Sequence, residues 1–183
     1  MGIVQVQTAL SLDGFMAGPE HEMDWVFEHA GDVPAELMQE VIESTGAILA
    51  VRGSYNVGRR STRAETRKPF GGAWSGPQFV LTHDPPDDEE DPSIRFVSGG
   101  IGSAVATARE NAEGKNVAIF GANIANQCLD AGLVDEIMLF VLPVILGDGV
   151  RLFEADADRR AGLEAIAIER YGQVAYLRYS VAR

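Results

Sequence analysis

Alternation between apolar and polar side chains predicts the strands of this chain. Residues 3–10 change side at every position, with Val4 and Val6 on one side and Gln5 and Gln7 on the other, which is the two-residue period of a strand. Two later alternating segments flank Tyr171-Gly172 and therefore predict a hairpin. The further predicted strands are residues 47–51, 78–82, 117–120 and 137–142, followed by the hairpin segments 163–169 and 173–181.

Apolar residues at helical spacing predict three helices. Pro34 marks the start of the first helix, and Ser98 is placed to cap the second. Strands that alternate with helices form a largely parallel sheet covered on both faces, and a terminal hairpin adds antiparallel strands at one edge. We therefore expect one three-layer α/β domain, residues 1–183, with a mixed and mostly parallel sheet. The predicted helices are residues 33–45, 99–112 and 122–131.

Composition and charge narrow the range of functions. The 183 residues are 46% hydrophobic and 23% charged, which is ordinary for a globular domain and argues against disorder. A formal net charge of −12 repels the phosphates of nucleic acids and anionic membranes, so neither is an expected partner. The single cysteine, Cys128, cannot form an intrachain disulfide, and the N terminus has no signal-peptide pattern. We expect a cytoplasmic protein that binds a small molecule.

A cluster of positive charge lies within this acidic chain. Between Val51 and Lys68 there are six lysines and arginines, opposed only by Glu65. Guanidinium groups bind phosphate through paired, charge-assisted hydrogen bonds, so the cluster suggests a phosphorylated ligand. The alternative is a solvated loop that only balances the acidic surface. The cluster consists of Arg52, Arg59, Arg60, Arg63, Arg67 and Lys68.

The segment between the strands at 47–51 and 78–82 is too long for a simple connection, so it is a candidate functional loop. Its Gly71–Gly76 part resembles a flap in which Trp74 either closes over a ligand or anchors the loop to the surface. The acidic run from Asp84 to Asp91 is expected to be a solvated loop.

Two turns are candidates for ligand binding. Gly121 ends a predicted strand just before a helix, where unpaired N–H groups and the helix dipole favour an anion such as a diphosphate. Residues 11–18, SLDGFMAG, leave the carboxyl end of the first strand, where ligands collect in open α/β sheets. Each could equally be a plain tight turn. The histidines are dispersed and no zinc or serine-hydrolase motif is present, so no metal site is expected.

These motifs occur in an order that resembles a known family. SLDGFMAG, Arg52-Gly53-Ser54-Tyr55, FVLTH, FGAN, AGLVDEI and PVILGDGVRLF are similar to segments of the dihydrofolate reductase-like family, which includes the bacterial riboflavin-biosynthesis reductase domain. The resemblance covers nearly the whole chain and is most specific over Ala131–Phe153. It implies a dihydrofolate reductase-like αβα fold and an NADPH-dependent oxidoreductase.

The resemblance also implies three groups of residues that bind the cofactor NADPH. One group holds the diphosphate, one holds the adenosine side, and one borders the nicotinamide ring. These residues are Gly121, Ala122, Asn123 and Ile124 for the diphosphate, Arg52, Ser54 and Thr82 for the adenosine side, and Ala9, Met16 and Ala17 for the nicotinamide.

Two positions depart from the family pattern. The common double glycine is Phe120-Gly121 in this chain, and Val51 replaces the glycine that usually precedes Arg52. Both positions belong to the implied cofactor site. The choice between NADPH and NADH therefore stays open.

The implied reaction is hydride transfer to a small heterocyclic substrate, either pterin/dihydrofolate-like or a riboflavin-precursor pyrimidine. A proton must follow the hydride, and the candidate donors are Glu36 and then Asp13, which could instead be a first-turn helix charge and a turn residue. Asp24 and Trp25 are expected to line the substrate pocket. The alternative function is a non-catalytic NADPH- or flavin-binding protein with the same fold. In either case a homodimer is expected.

Overall fold

The computed structural model describes residues 2–61, 67–154 and 161–182. Its strands are β1 (Val4–Ser11), β2 (Phe15–Ala17), β3 (Thr45–Val51), β4 (Gln78–Leu81), β5 (Ile94–Val97), β6 (Asn116–Phe120), β7 (Glu136–Leu142), β8 (Val150–Arg151), β9 (Leu163–Tyr171) and β10 (Val174–Val181). Its helices are α1 (Ala35–Ser44), α2 (Arg52–Arg60), α3 (Ile101–Glu110) and α4 (Ala122–Asp130), with 3-10 segments at Asp24–Asp32 and Pro69–Gly72.

Eight strands form one sheet in the order β5-β4-β3-β6-β1-β7-β10-β9. The first six strands in this order are parallel to one another, whereas β10 is antiparallel to β7 and β9 is antiparallel to β10. β2 and β8 form a separate small antiparallel pair. The mixed, mostly parallel sheet and the antiparallel C-terminal hairpin confirm the prediction from sequence.

Helices cover both faces of this sheet. Buried side chains of α3 and α4, among them Ala108 and Ile124, pack on one face against Val4 and Leu49 of the central strands. On the opposite face, Val41 of α1 packs with buried residues of β7 and β10. Complete burial of one such aliphatic side chain contributes about 1.5–3 kcal/mol, so the apolar stripes seen in the sequence are what hold the layers together.

The structure corrects two expectations about local structure. Ser98 does not cap α3, because that helix begins at Ile101 after Gly100 and has no side-chain cap. The expected loop after β3 begins with α2, a helix without a single buried residue. Because α2 buries no side chain, it has no apolar stripe from which periodicity could predict it.

The central strand β1 carries polar side chains that are buried. Gln5 and Gln7 are 1% and 7% exposed, since β1 lies in the middle of a covered sheet. The Gln7 amide donates to Gln5 Oε1 (2.6 Å), and the Gln5 amide donates to Glu136 Oε2 (2.9 Å). Glu136 also accepts a hydrogen bond from Arg178 Nε at 2.7 Å. This chain of polar groups compensates for most of the cost of burying them.

Among residues 2–61, 67–154 and 161–182, no helix combines the length and the apolar character that crossing a bilayer requires.

Two glycines give a matched test of this packing. A Cβ at Gly102, in α3, would meet nothing within 4 Å, so Gly102→Ala should stabilise the fold by about 0.5–1 kcal/mol through reduced unfolded-state freedom. A Cβ at Gly46 would overlap the Ala112 carbonyl oxygen, so Gly46→Ala should destabilise by roughly 1–3 kcal/mol. Urea unfolding measures both effects, and equal midpoints for the two variants would contradict this description of the packing.

Candidate functional site

The topology opens a crevice at the carboxyl end of β6. This strand lies between β3 and β1, and all three are parallel. The chain leaves β1 toward α1 on one face of the sheet, whereas it leaves β6 directly into α4 on the other face. Ligands of open α/β sheets bind where successive connections diverge in this way.

The turn at Gly121 joins two helices at this crevice. Gly121 has φ +114°, and a Cβ there would overlap Ser54 Oγ, so no side chain fits at this position. Ser54 Oγ, in the first turn of α2, donates a hydrogen bond to the Phe120 carbonyl oxygen at 3.3 Å. The structure therefore brings together Gly121 and Ser54, two residues that were expected to bind the cofactor.

A cavity of about 590 Å³ lies beside the start of α4. Ala122 and Asn123 line one side of it, and Phe15 of β2 and Gly147 line the other. This volume falls within the roughly 300–1,000 Å³ typical of small-molecule sites. The free N–H groups at the N terminus of a nine-residue helix make this wall of the cavity attractive to an anion.

Arg151 adds a cation to the same cavity. Its guanidinium lies 4.2 Å above the centre of the Phe15 ring and donates to the Asp13 carbonyl oxygen at 3.1 Å. Two carboxylates, Asp148 and Glu154, also line the cavity. Sequence reasoning did not single out Arg151. Its place in the PVILGDGVRLF motif was the available signal, but only the pairing of β2 with β8 brings it to the site.

Asp13 anchors the loop after β1 to a distant turn of the chain. Its carboxylate accepts hydrogen bonds from Ser11 Oγ (2.6 Å) and from the backbone N–H groups of Leu146 (3.1 Å) and Gly147 (2.8 Å). Led by the bond from Ser11, these contacts lower the pKa of Asp13 to about 2. A carboxyl group with that pKa is ionised at neutral pH and is a poor proton donor.

Glu36 lies in a second cavity of about 380 Å³, between α1 and the β9–β10 hairpin. Tyr171, Tyr176 and Arg178 line this second cavity with it. In the described part of the chain, the residues lining this cavity and those lining the one beside α4 do not overlap. Glu36 therefore lines a different cavity from the one beside the Gly121 turn.

The residues expected at the nicotinamide ring belong to two different clusters. Ala9 packs with Trp25 on the α1 side of the sheet, whereas Met16 packs against the core beneath α3 and α4. Ala17 is buried, and it lies on β2, which pairs with β8. Ile124 is completely buried in the core, so only its backbone can contact a ligand.

Two buried polar atoms near Ala9 lack a hydrogen-bond partner. Within the described residues, no group bonds to Gln7 Oε1 or to Trp25 Nε1, an acceptor and a donor. Gln7 and Ala9 lie on the same face of β1, because alternate residues of a strand do. Each buried polar atom without a partner lowers the stability of the fold by about 1–3 kcal/mol. Because a bound ligand would remove this penalty, these atoms are candidates for contact with a ligand.

Two arginines of the basic cluster pair with the acidic run, whereas Arg67 donates to the Ser61 carbonyl oxygen. Arg52 Nη1 lies 2.7 Å from Asp84 Oδ2, and Arg59 makes two hydrogen bonds to Asp88 at 3.0 and 2.9 Å. The run after β4 is therefore not simply a solvated loop. Arg63 falls outside the described residues.

Thr82 is part of the turn that carries Asp84. The backbone N–H of Asp84 donates to Thr82 Oγ1 at 3.2 Å, and Thr82 N donates to the Val97 carbonyl oxygen at 3.0 Å. Thr82 therefore lies at the end of β4, on the same edge of the sheet as Arg52.

Trp74 is an anchor and not a lid. Its indole N–H donates to the Thr45 carbonyl oxygen at 2.9 Å. Thr45 begins β3, so Trp74 lies at the end of the sheet where this strand starts, and the crevice lies at the opposite end. Of the two alternatives for this loop, the surface anchor is the one that the structure shows.

Replacing the anchor Asp13 with Asn should lower stability in a pH-dependent way. The Asp13 pKa is lowered to about 2 in the folded chain from an ordinary value of 3.8, so its stabilising effect is complete above about pH 4 and disappears as the pH falls toward 2. We expect Asp13→Asn to lower the urea midpoint at pH 6 and to approach the wild type near pH 2.5. A stability difference that does not change with pH would contradict the role of the Asp13 carboxylate.

The chain is similar to known proteins both in sequence and in fold. A curated relative, the uncharacterized protein YwjB of Bacillus subtilis (strain 168), is 25% identical over 174 residues, which cover 93% of each chain. The fold matches a crystal structure of a putative riboflavin biosynthesis protein from Shewanella sp. PV-4, with TM-score 0.78, 21% identity and 99% coverage of both chains. It also matches dihydrofolate reductase from Enterococcus faecalis complexed with NADP(H), with TM-score 0.60 and 14% identity. This match covers 100% of this chain and 98% of the reductase.

The two structural matches are below 25% identity and therefore show the fold alone. Family membership rests on a separate match, which runs through almost all of the chain. The family model of the RibD C-terminal domain matches residues 3–177, so this chain belongs to the RibD C-terminal domain family and has the dihydrofolate reductase-like fold.

Proposed function

We propose that this protein is a reductase that transfers a hydride from a reduced nicotinamide dinucleotide to a small planar heterocycle. NADPH is the cofactor that the family resemblance implies, and a pterin/dihydrofolate-like ring or a riboflavin-precursor pyrimidine is the implied substrate class. The bound dinucleotide supplies the hydride. The chain supplies binding, orientation and protection from water.

The observation that carries the proposal is the anion site at Gly121. The first turn of α4 and Arg151 line one cavity, where a diphosphate would meet N–H groups and a guanidinium. Ser54 lies at the turn before that helix, where it bonds to the Phe120 carbonyl oxygen. A turn with no room for a Cβ lets the diphosphate approach the backbone closely. Asp148 and Glu154 also line this cavity and repel an anion, so the proposal requires the diphosphate to lie against the N–H groups of α4 and Arg151.

Substrate recognition is proposed at the α1 side of β1. Gln7 Oε1 and Trp25 Nε1 offer one acceptor and one donor that the rest of the described chain does not use. Both atoms are buried, so a heterocycle with ring N–H and carbonyl groups would bond to them only after these side chains turn toward it, whereas an aliphatic substrate would leave both unpaired. Trp25 would also provide an apolar surface for the ring.

Proton supply in this proposal comes from water. Asp13 is ionised, with a pKa of about 2, and Glu36 lies in the other cavity. The same observation favours the second candidate, a non-catalytic NADPH- or flavin-binding protein, because a protein that only binds the cofactor needs no proton donor. Oxidation of NADPH with a panel of pterins, dihydrofolates and diaminopyrimidines distinguishes the two functions.

The variant Asn123→Asp tests the anion site without threatening the fold. A carboxylate in the first turn of α4 interacts favourably with the helix dipole but repels a diphosphate. We expect Asn123→Asp to raise the NADPH dissociation constant at least tenfold, or about 1.4 kcal/mol, in isothermal titration calorimetry, with thermal stability unchanged or higher.

Gln127→Glu is the matched control, because it adds the same charge one turn further along α4. It should change the dissociation constant by less than about threefold, since Gln127 does not line the cavity and the helix-dipole effect falls off within the first turn. Equal weakening by the two variants, or no binding of either dinucleotide to the wild type at millimolar concentration, would contradict the proposed site.

A homodimer through β9 is proposed as the working assembly, which we expect to act in the cytoplasm. β9 is the last strand of the sheet, and it exposes Leu163 (47%), Ile166 (48%) and Ile168 (63%). Apolar side chains on an unpaired edge strand favour association with a second copy.

Light scattering during gel filtration tests this assembly. We expect Ile168→Glu to shift the wild-type dimer to a monomer, because a carboxylate would be buried at the interface. Ile145→Glu, which changes another exposed isoleucine (72%) that is not part of β9, should leave the dimer intact. A monomeric wild type, or a dimeric Ile168→Glu variant, would contradict the β9 interface.

A further inference from the structure

The order of the strands decides where the adenosine end of a bound dinucleotide must lie. If the nicotinamide lies at Ala9 on β1 and the diphosphate lies at Gly121 after β6, the remaining half continues across the ends of β3 and then β4. Neighbouring strands are about 4.8 Å apart, so these two ends are within reach of the adenosine ribose. Arg52 follows β3, and Asp84 follows β4 at that point.

Arg52 and Asp84 are already paired with each other. Their charged atoms are 2.7 Å apart, and their side chains are 37% and 89% exposed, so both are accessible at the rim. The turn that carries Asp84 is fixed, because Asp84 N donates to Thr82 Oγ1 at 3.2 Å and Thr82 Oγ1 donates to the Asp84 carbonyl oxygen at 3.3 Å. Asp84 therefore stands beside the one arginine that begins α2.

The rest of the acidic run holds this arrangement in place. Arg59 binds Asp88 through two parallel hydrogen bonds, and the Tyr55 hydroxyl donates to Glu89. Residues 84–91 contain six carboxylates, whereas α2 contains three arginines. At the ends of β3 and β4, Arg52 and Arg59 therefore each face a carboxylate, Asp84 and Asp88, and their positive charge is offset.

A ribose 2′-hydroxyl and a ribose 2′-phosphate respond to this charge in opposite ways. The hydroxyl of NADH can donate a hydrogen bond to a carboxylate at this position, as in other dinucleotide sites. The 2′-phosphate of NADPH carries about −1.5 to −2 charges at neutral pH, accepts hydrogen bonds only, and would have to displace Asp84 from Arg52. Resting on the function proposed above, we propose that Asp84 directs the cofactor preference of this protein toward NADH.

The test compares NADH and NADPH binding by calorimetry at low salt, where exposed charges are least screened. We expect the wild type to bind NADH at least as tightly as NADPH. Asp84→Asn should free Arg52 and improve the affinity for NADPH relative to NADH by about tenfold, or about 1.4 kcal/mol. Asp87→Asn, which removes an exposed carboxylate from the same loop, is the control and should change this ratio less than about threefold.

The outcomes separate this inference from the proposed function. Binding of both dinucleotides with NADPH tighter by tenfold or more in the wild type would overturn the role of Asp84 and leave the reductase proposal standing. An equal change of the ratio in Asp84→Asn and Asp87→Asn would also overturn it, because net charge alone would then explain the effect. Failure of the wild type to bind either dinucleotide would overturn the proposed function, and this inference with it.

Discussion

Residue 121 must lack a side chain for α2 and α4 to begin next to each other at the end of β6. Gly121 has φ +114°, and Ser54 occupies the space where its Cβ would point. Since Ser54 is in the first turn of α2 and bonds to the Phe120 carbonyl, the contact fixes the start of α2 against the start of α4. The anion site depends on this closeness, because it places the N–H groups of α4 beside a hydroxyl at one turn.

The other wall of the cavity depends on contacts between segments more than 130 residues apart in sequence. Asp13 binds the backbone of Leu146 and Gly147, and Arg151 binds the Asp13 carbonyl in return. A Cβ at Gly149, which has φ +135°, would overlap the Ala17 carbonyl oxygen. The SLDG loop and the turn before β8 therefore form one unit that presents Arg151 to the start of α4. A carboxylate that binds backbone in this way is already committed, which is why Asp13 is unsuited to proton transfer.

The spacing of apolar residues predicted the helices and strands that bury one regular face. It did not predict elements that bury no face, or contacts between residues far apart in the sequence. The period of β1 and the stripes of α1 and α4 were enough to predict those elements and the parallel sheet. The helix α2 was not predicted because it buries no side chain. The hydrogen bonds that join Gln7, Gln5 and Glu136 were not predicted because Glu136 lies 131 residues from Gln5 in the sequence. Arg151 reaches the cavity only through the pairing of β2 with β8, which is too short to leave a sequence pattern.

The charges show most clearly how topology changes the meaning of a sequence. Positive side chains follow β3 and negative side chains follow β4. Considered alone, the positive run suggested a phosphate site and the negative run suggested a solvated loop. Because β3 and β4 are adjacent and parallel, both runs emerge at the same edge and pair there. Ion pairs as exposed as Arg59 with Asp88, at 41% and 72%, contribute little to stability. Their main effect is on the local potential, because each pair cancels much of the attraction of its arginine for anions at the ends of β3 and β4.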